Sequence, residues 1–359
     1  MKKLISLILV LALVLSLSAC GSKETSTSTS QTDTKTSQGT TWPKMEISLL
    51  HGDPANMSSS YHVLATKFAE KVTAATDGAI TFVIHANGVL GVESDYFGLL
   101  KTGAADMAIM TSNGFSSVDP EMSGFFDQPF LFKDDDEANA YMDSDLQKEV
   151  DDRYPNLLGL RVLTWAEGGF RNTITNKAPI KSIADYKGQV IRVPGTASFT
   201  DTYKALGASP TPLSYSECFT AISQGAIDGM ILPTGVAFSG NYYEVCKYTV
   251  ADHIFFNALS ICISEMLWNT LSPEVKELFI KCAAEAAAEE EEFAKAYEIE
   301  CFNTMRDKHG VTVTFAEDFD TTGLSDAVAP VWEACSKVIN ADFYARSMKW
   351  IEEYRAAHP

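Results

Sequence analysis

Residues 45–85 read MEISLLHGDPANMSSSYHVLATKFAEKVTAATDGAITFVIH. The first six residues, 45–50, have the apolar, β-branched character of a strand, and Gly52-Asp53-Pro54 predicts a turn. Between 58 and 76, apolar side chains fall at Val63/Leu64, Phe68, Val72 and Ala75, the spacing of one helix face, and Asp77-Gly78 stops the run. Residues 80–85 alternate again as a strand. Strand, helix, strand over so short a distance is the unit from which parallel sheets are built.

The rhythm continues outward. Residues 105–110, 157–165, 189–193 and 230–232 predict strands, and 94–101, 199–206 and 215–224 predict helices. The chain is therefore expected to be an α/β protein with largely parallel sheets. The stretches 165–171 and 251–257 are extended rather than turn-rich, as hinge crossings between two domains would be. Near the C-terminus, Ser272 is a candidate N-cap with Pro273 at N1, and a helical pattern runs to His309-Gly310. At ~1.5 Å per residue this helix exceeds ~50 Å, longer than a small domain is wide, so it should bridge two domains. The run Glu289-Glu290-Glu291-Glu292 is expected to be its solvated middle, because like charges repel and seek water.

Composition bounds the function. The 359 residues carry 47 Asp+Glu against 28 Lys+Arg, a net charge of −19, and 46% are hydrophobic. That is enough apolar matter for a full core and two domains. No basic run exceeds two residues, so a nucleic-acid partner is excluded. Lys2-Lys3, the apolar run 4–17 and Leu17-Ser18-Ala19-Cys20 form a signal peptide over 1–19, ending in a bacterial lipobox. The run is shorter than the ~20 apolar residues of a spanning helix, which disfavours a transmembrane anchor. Lipidation of Cys20 and a Ser/Thr-rich flexible tether over 20–41 follow from this reading. The other six cysteines (218, 246, 262, 282, 301, 335) are widely separated. Free buried thiols are favoured over disulfides, which an exported chain nonetheless permits.

Enzyme constellations are missing from the sequence: no His-Glu-x-x-His, nucleophile elbow, dinucleotide fingerprint or Walker loop occurs. Asp134-Asp135-Asp136-Glu137 reads as the acidic first turn of a helix rather than a calcium loop. Two arginines stand in distinctive settings. Arg171 lies in Gly168-Gly169-Phe170-Arg171-Asn172, and Arg192 interrupts the apolar strand Val190-Ile191-Arg192-Val193, facing away from Ile191 and Val193. A guanidinium buried on a strand needs an anion, and its planar fork accepts a carboxylate bidentately. An internal salt bridge to one of the 47 acids would satisfy it equally well, and a strand-end position in solvent would need no partner.

From here the chain resembles a known family. Gly169-Phe170-Arg171-Asn172, Thr175-Asn176, Asp185-x-Lys187-Gly188, Ile191-Arg192-Val193-Pro194, Leu206 to Leu213, Ala221-Ile222-x-x-Gly225, Asp228-Gly229 and Tyr243-Glu244-Val245 resemble, in order, the solute receptors of TRAP transporters. Leu90-Gly91-x-Glu93, Gly103-x-x-Asp106-Met107 and Pro129-Phe130-Leu131-Phe132 extend the likeness upstream.

The resemblance implies an α/β, two-lobed, periplasmic-binding-protein-like fold (type II-like), with hinge strands and a long helix spanning both lobes. Lobe I would comprise 42–168 and 257–297, and lobe II 169–256 and 298–359. By the same resemblance, Arg192 forms the main salt bridge to a ligand carboxylate, Arg171 supports it, and Tyr215 packs on the ligand. Glu93, His51 and Thr111 are expected to line the cleft. Leu232 stands where many members carry a ligand-contacting Asn, which favours a ligand with an apolar or aromatic body over a heavily hydroxylated sugar acid. The implied protein is an extracytoplasmic, lipid-anchored monomer that binds a small organic acid. It would deliver that acid to a permease of small and large membrane subunits, with no cofactor, no metal and no reaction on the ligand. A solute receptor of an ABC transporter, or an exported enzyme, are the competing readings.

Overall fold

The computed structural model describes residues 41–359, so the leader, Cys20 and nearly all of the tether lie outside the described residues. Among the described residues, nine strands form one mixed sheet. They are β1 (Met45–Leu50), β2 (Ile80–His85), β3 (Met107–Thr111), β4 (Leu160–Thr175), β5 (Val190–Val193), β6 (Ser209–Pro212), β7 (Gly229–Pro233), β8 (Tyr248–Ser264) and β9 (Thr312–Thr314). The order is β2-β1-β3-β8-β4-β7-β5-β6, with β9 on β8. Pairing is parallel within the β1–β3 group and within the β5–β7 group. It is antiparallel where the two long strands join these groups and each other.

β4 and β8 have 16 and 17 residues, and they run through both lobes. One end of β8 pairs with β3, and the opposite end of β4 pairs with β7. The expected crossings at 165–171 and 251–257 lie inside these two strands, where their mutual ladder is broken between Glu167 and Phe170 and again between Arg171 and Thr173. Both breaks are written in the backbone. Gly169 has φ +78°, and His253 on the facing strand has φ +46°, a region that a residue with a Cβ seldom enters. A Cβ on Gly168 would lie 2.4 Å from the Asn257 amide nitrogen, so only glycine fits there.

Side-chain alternation assigns the faces. In the first lobe, Ile47, Leu49, Met107 and Ile109 pack under the helix Ser60–Ala75 and the first half of the helix Pro273–His309, against Phe68, Phe279 and Ala286. Leu50, Ala108 and Met110 face the opposite way, onto Phe115, Phe125 and Tyr141. In the second lobe, Met230 and Leu232 share a core with Phe302 and Met305 of the long helix, while Ile231 joins Ile191, Val193 and Tyr203 on the other face. The 37-residue helix thus contributes to a core in each lobe. It is capped as expected, with the Ser272 hydroxyl accepting from the Val275 amide and Gly310 closing the end in the left-handed region. Asp134 caps the helix Asp135–Met142, whose acidic first turn suits the helix dipole.

Two features depart from the sequence reading. The last helix, Ala341–Ala357, buries Phe343 and Ile351 in the first-lobe core with Phe125 and Tyr141, rather than following the second lobe. The acidic run is not uniformly solvated: Glu290 has no exposed surface. Residue 290 falls on the same helical face as Ala283, Ala286 and Ala287, and helix geometry overrides charge at that position. Both Glu290 carboxylate oxygens lack a hydrogen-bond partner of good geometry. Its pKa is pushed well up by burial. Cys218, Cys246, Cys262, Cys282, Cys301 and Cys335 are all free thiols.

Burial raises several other carboxyls: Asp127 and Asp151 to about 7, Glu167 to about 8, Asp252 to about 6. Each is protonated in the folded chain at pH values where the unfolded chain has lost the proton. Folding therefore takes up protons between the unfolded and folded values, and stability falls as pH rises through that window. His51, which burial and His62 hold down to about 4, acts in the opposite sense but is outnumbered. The melting temperature is expected to be higher at about pH 5.5 than at about pH 8. Glu290→Met should add about 1–3 kcal/mol at the higher pH and narrow the gap, as read by thermal denaturation at both pH values.

Candidate ligand-binding site

A cleft of about 640 Å³ opens beside the hinge, walled by both lobes. Asp53, Tyr61, Glu93, Thr111 and Asn113 line it from the first lobe, and Arg171, Arg192, Tyr215 and Leu232 from the second. Six of the seven side chains singled out in the sequence thus converge here. The seventh, His51, does not. It is fully buried behind the wall, with its Nε2 3.1 Å from His62 Nδ1. The side chain leaving the end of β1 turns toward the helix Ser60–Ala75, and the following Gly52-Asp53 supplies the cleft surface instead.

Arg171 follows the hinge on β4, and Arg192 stands on β5 opposite in facing to the core residues Ile191 and Val193. They are 6% and 7% exposed. The Arg171 Nη2 donates to the side-chain oxygen of Asn113 at 2.6 Å and to that of Asn257, and its guanidinium lies over the Phe199 ring, 5.6 Å from the centroid. Arg192 Nε donates to the Leu213 carbonyl at 2.7 Å. Every one of these partners is neutral. Among the described residues, neither guanidinium lies within 4.0 Å of a carboxylate oxygen. Burial lowers the pKa of Arg171, and the charge of Arg192 adds to that effect. Two buried cations with no acid in contact are unfavourable as they stand, because Asp127 and Glu93 act on Arg171 only from beyond contact distance, and an entering anion relieves both desolvation and mutual repulsion.

Glu93 opens the helix Glu93–Thr102, and its Oε1 accepts from the Thr111 amide at 2.8 Å and the Thr111 hydroxyl at 2.6 Å. A Cβ on Gly114 would come within 2.7 Å of that oxygen, so the glycine makes room for the carboxylate. Burial raises the Glu93 carboxyl, and the two Thr111 bonds oppose the rise. Asp53 is 3% exposed and accepts from the Ser59 hydroxyl at 2.5 Å. Burial lifts it to about 7 against the pull of the Ser59, Tyr215 and Ser239 hydroxyls. Leu232 is an apolar wall residue that also belongs to the second-lobe core.

Sequence reasoning missed Asp53, Tyr61, Asn113 and Asn257. Asp53 sits in a Gly-Asp-Pro turn and reads only as a turn residue. Asn113 and Asn257 meet Arg171 across 58 and 86 residues of chain, and no local pattern announces such a meeting. No group of three or more His, Cys, Asp or Glu among the described residues is placed to hold a metal ion.

Comparison with known proteins agrees with this geometry. The model of the bacterial extracellular solute-binding proteins, family 7, matches residues 51–338. The chain is 28% identical over 283 residues to the 2,3-diketo-L-gulonate-binding periplasmic protein of Escherichia coli, covering 78% of this chain and 84% of that one. It is 26% identical over 286 residues to the sialic acid-binding periplasmic protein of Vibrio cholerae, covering 80% and 87%. A TRAP periplasmic solute-binding protein from a Polaromonas species, solved with bound D-erythronate, superimposes with a TM-score of 0.79 at 26% identity, covering 84% of this chain and 98% of that one. Two lobes on shared hinge strands, a cleft between them and a family match across most of the chain converge on one assignment: the chain belongs to family 7 of the bacterial extracellular solute-binding proteins, the solute receptors of TRAP transporters.

Proposed function

We propose that this receptor captures a small organic acid anion in the interlobe cleft, with the carboxylate held by Arg192 and Arg171, and hands it to a membrane permease. The observation that carries the reading is the pair of buried guanidiniums whose only protein partners are amide and carbonyl oxygens. An internal salt bridge, the competing explanation for a buried Arg, is missing for both among the described residues. Relatives whose names specify diketogulonate, sialic acid or erythronate support an acid as ligand.

Binding follows from physical terms already present. The carboxylate exchanges water for two charge-assisted donors, and exclusion of solvent by the closing cleft strengthens that attraction. Tyr215 and Leu232 add apolar contact, and Thr111 acts through Glu93. Closure is favoured by contacts made only when both lobes reach the ligand, with the breaks around Gly168-Gly169 and His253 as the flexing points. On this reading lobe I comprises 42–168 and 257–297 and lobe II 169–256 and 298–340, with the helix 341–357 of the 298–359 segment reassigned to lobe I because Phe343 and Ile351 enter the first-lobe core. No reaction is performed on the ligand. The signal pattern over 1–19 and Cys20 supports a lipid tether to the outer face of the cell membrane, where the receptor would work as a monomer beside a permease of small and large subunits.

Arg192→Ala should fold normally and lose about 2–5 kcal/mol of carboxylate affinity by calorimetry. Unchanged binding would remove Arg192 from the site. Asn113→Asp places a carboxylate where Arg171 now meets an amide oxygen at 2.6 Å. It should raise the melting temperature of the unliganded protein and weaken acid binding by about tenfold or more. An unaltered affinity in that variant would show that the ligand does not use Arg171.

A further inference from the structure

Charge around the cleft is divided unevenly. Among the described residues, its only cationic lining residues are Arg171 and Arg192, while Asp53, Glu93 and Glu217 are acidic and no Lys or His reaches the wall. One carboxylate satisfies the guanidinium pair. A second carboxylate on the same small molecule would point along the cleft toward carboxyl groups with no cation to receive it. That arrangement rejects by repulsion, the device by which a site discriminates against a near neighbour of its ligand.

The rest of the wall is hydrogen-bonding rather than inert. Tyr61, Asn87, Ser94, Thr111, Asn113 and Tyr215 line it with the acids. Glu93 lines the cleft, and Thr111 engages only Oε1 of its carboxylate, with no hydrogen bond to Oε2 among the described residues. An alkyl or aryl tail would strip water from these groups and return nothing, which costs free energy for each one left unpaired. An ammonium tail would supply donors to the acids but would leave the amide and hydroxyl donors of the wall without acceptors. A hydroxyl both donates and accepts, so it can serve the acids and the donors alike.

Resting on the acid-receptor reading above, we infer that the ligand is a polyhydroxylated monocarboxylate, and that Glu93 is a specificity-determining residue that admits its hydroxyls and excludes a second carboxylate. Leu232 alone pointed to an apolar body; it is one wall residue facing a predominantly polar rim of hydroxyls, amides and acids. Val92, Phe97 and Val236 also line the cleft and suit the C–H faces of such a molecule.

The test is titration calorimetry of the full chain with D-gluconate, succinate, hexanoate, L-glutamine and D-glucose. Gluconate is expected to bind at least about tenfold more tightly than each of the others. Glu93→Gln, which keeps the hydrogen-bonding shape and removes the charge, should move the succinate-to-gluconate affinity ratio about tenfold toward succinate. Succinate, hexanoate or glutamine binding as well as gluconate overturns this inference and leaves the organic-acid receptor intact. A ratio unmoved in the variant removes Glu93 from the selection. Binding of glucose alone, or of none of the acids by protein that melts cooperatively, overturns the acid-receptor reading together with this one.

Discussion

Two guanidiniums buried along one cleft without a contacting carboxylate are the constraint around which this protein is arranged. Arg171 is secured by two asparagine oxygens and an aromatic face, and Arg192 by a backbone carbonyl. These contacts fix position and orientation without pairing either charge with a carboxylate. A neutral cradle is what a receptor requires, because an internal acid would compete with every ligand carboxylate for the same fork of donors.

The two long strands make that cradle movable. Asp53 and Glu93 line the cleft from the first lobe and Arg171 and Arg192 from the second, so the two walls are built on different lobes of one continuous sheet. Because β4 and β8 are both interrupted at the same level, flexing there disturbs few ladder hydrogen bonds. The 37-residue helix crosses from one lobe core to the other beside the hinge. The buried carboxyls Glu167 and Glu290 lie in this crossing region, where a close-packed apolar filling would have been more stable.

Much of the architecture was legible locally. The strand–helix–strand rhythm sets the α/β class, the caps at Ser272 and Gly310 delimit the long helix, and the ordered motif series identifies the family. Arg192 announced itself by sitting where an apolar residue would ordinarily be. His51 and Glu290 mark the limit of such reading. The first lies at a strand end where one turn of backbone decides between cleft and interior. The second belongs to a charge run that a helix distributes over several faces, one of which meets the core.

The sequence by itself determined the periodicities, the helix ends, the apolar faces and the family, because each of these depends on residues within a few positions of one another. Only the tertiary structure decided that Arg171 and Arg192 have no acidic partner, that Asn113 and Asn257 hold Arg171, that Asp53 and Glu93 set the opposite wall, and that the last helix returns to the first lobe. These are meetings between segments tens to hundreds of residues apart. A periodic pattern states which face a side chain takes, whereas what that face encounters is settled by how the long strands and the long helix bring the two lobes together.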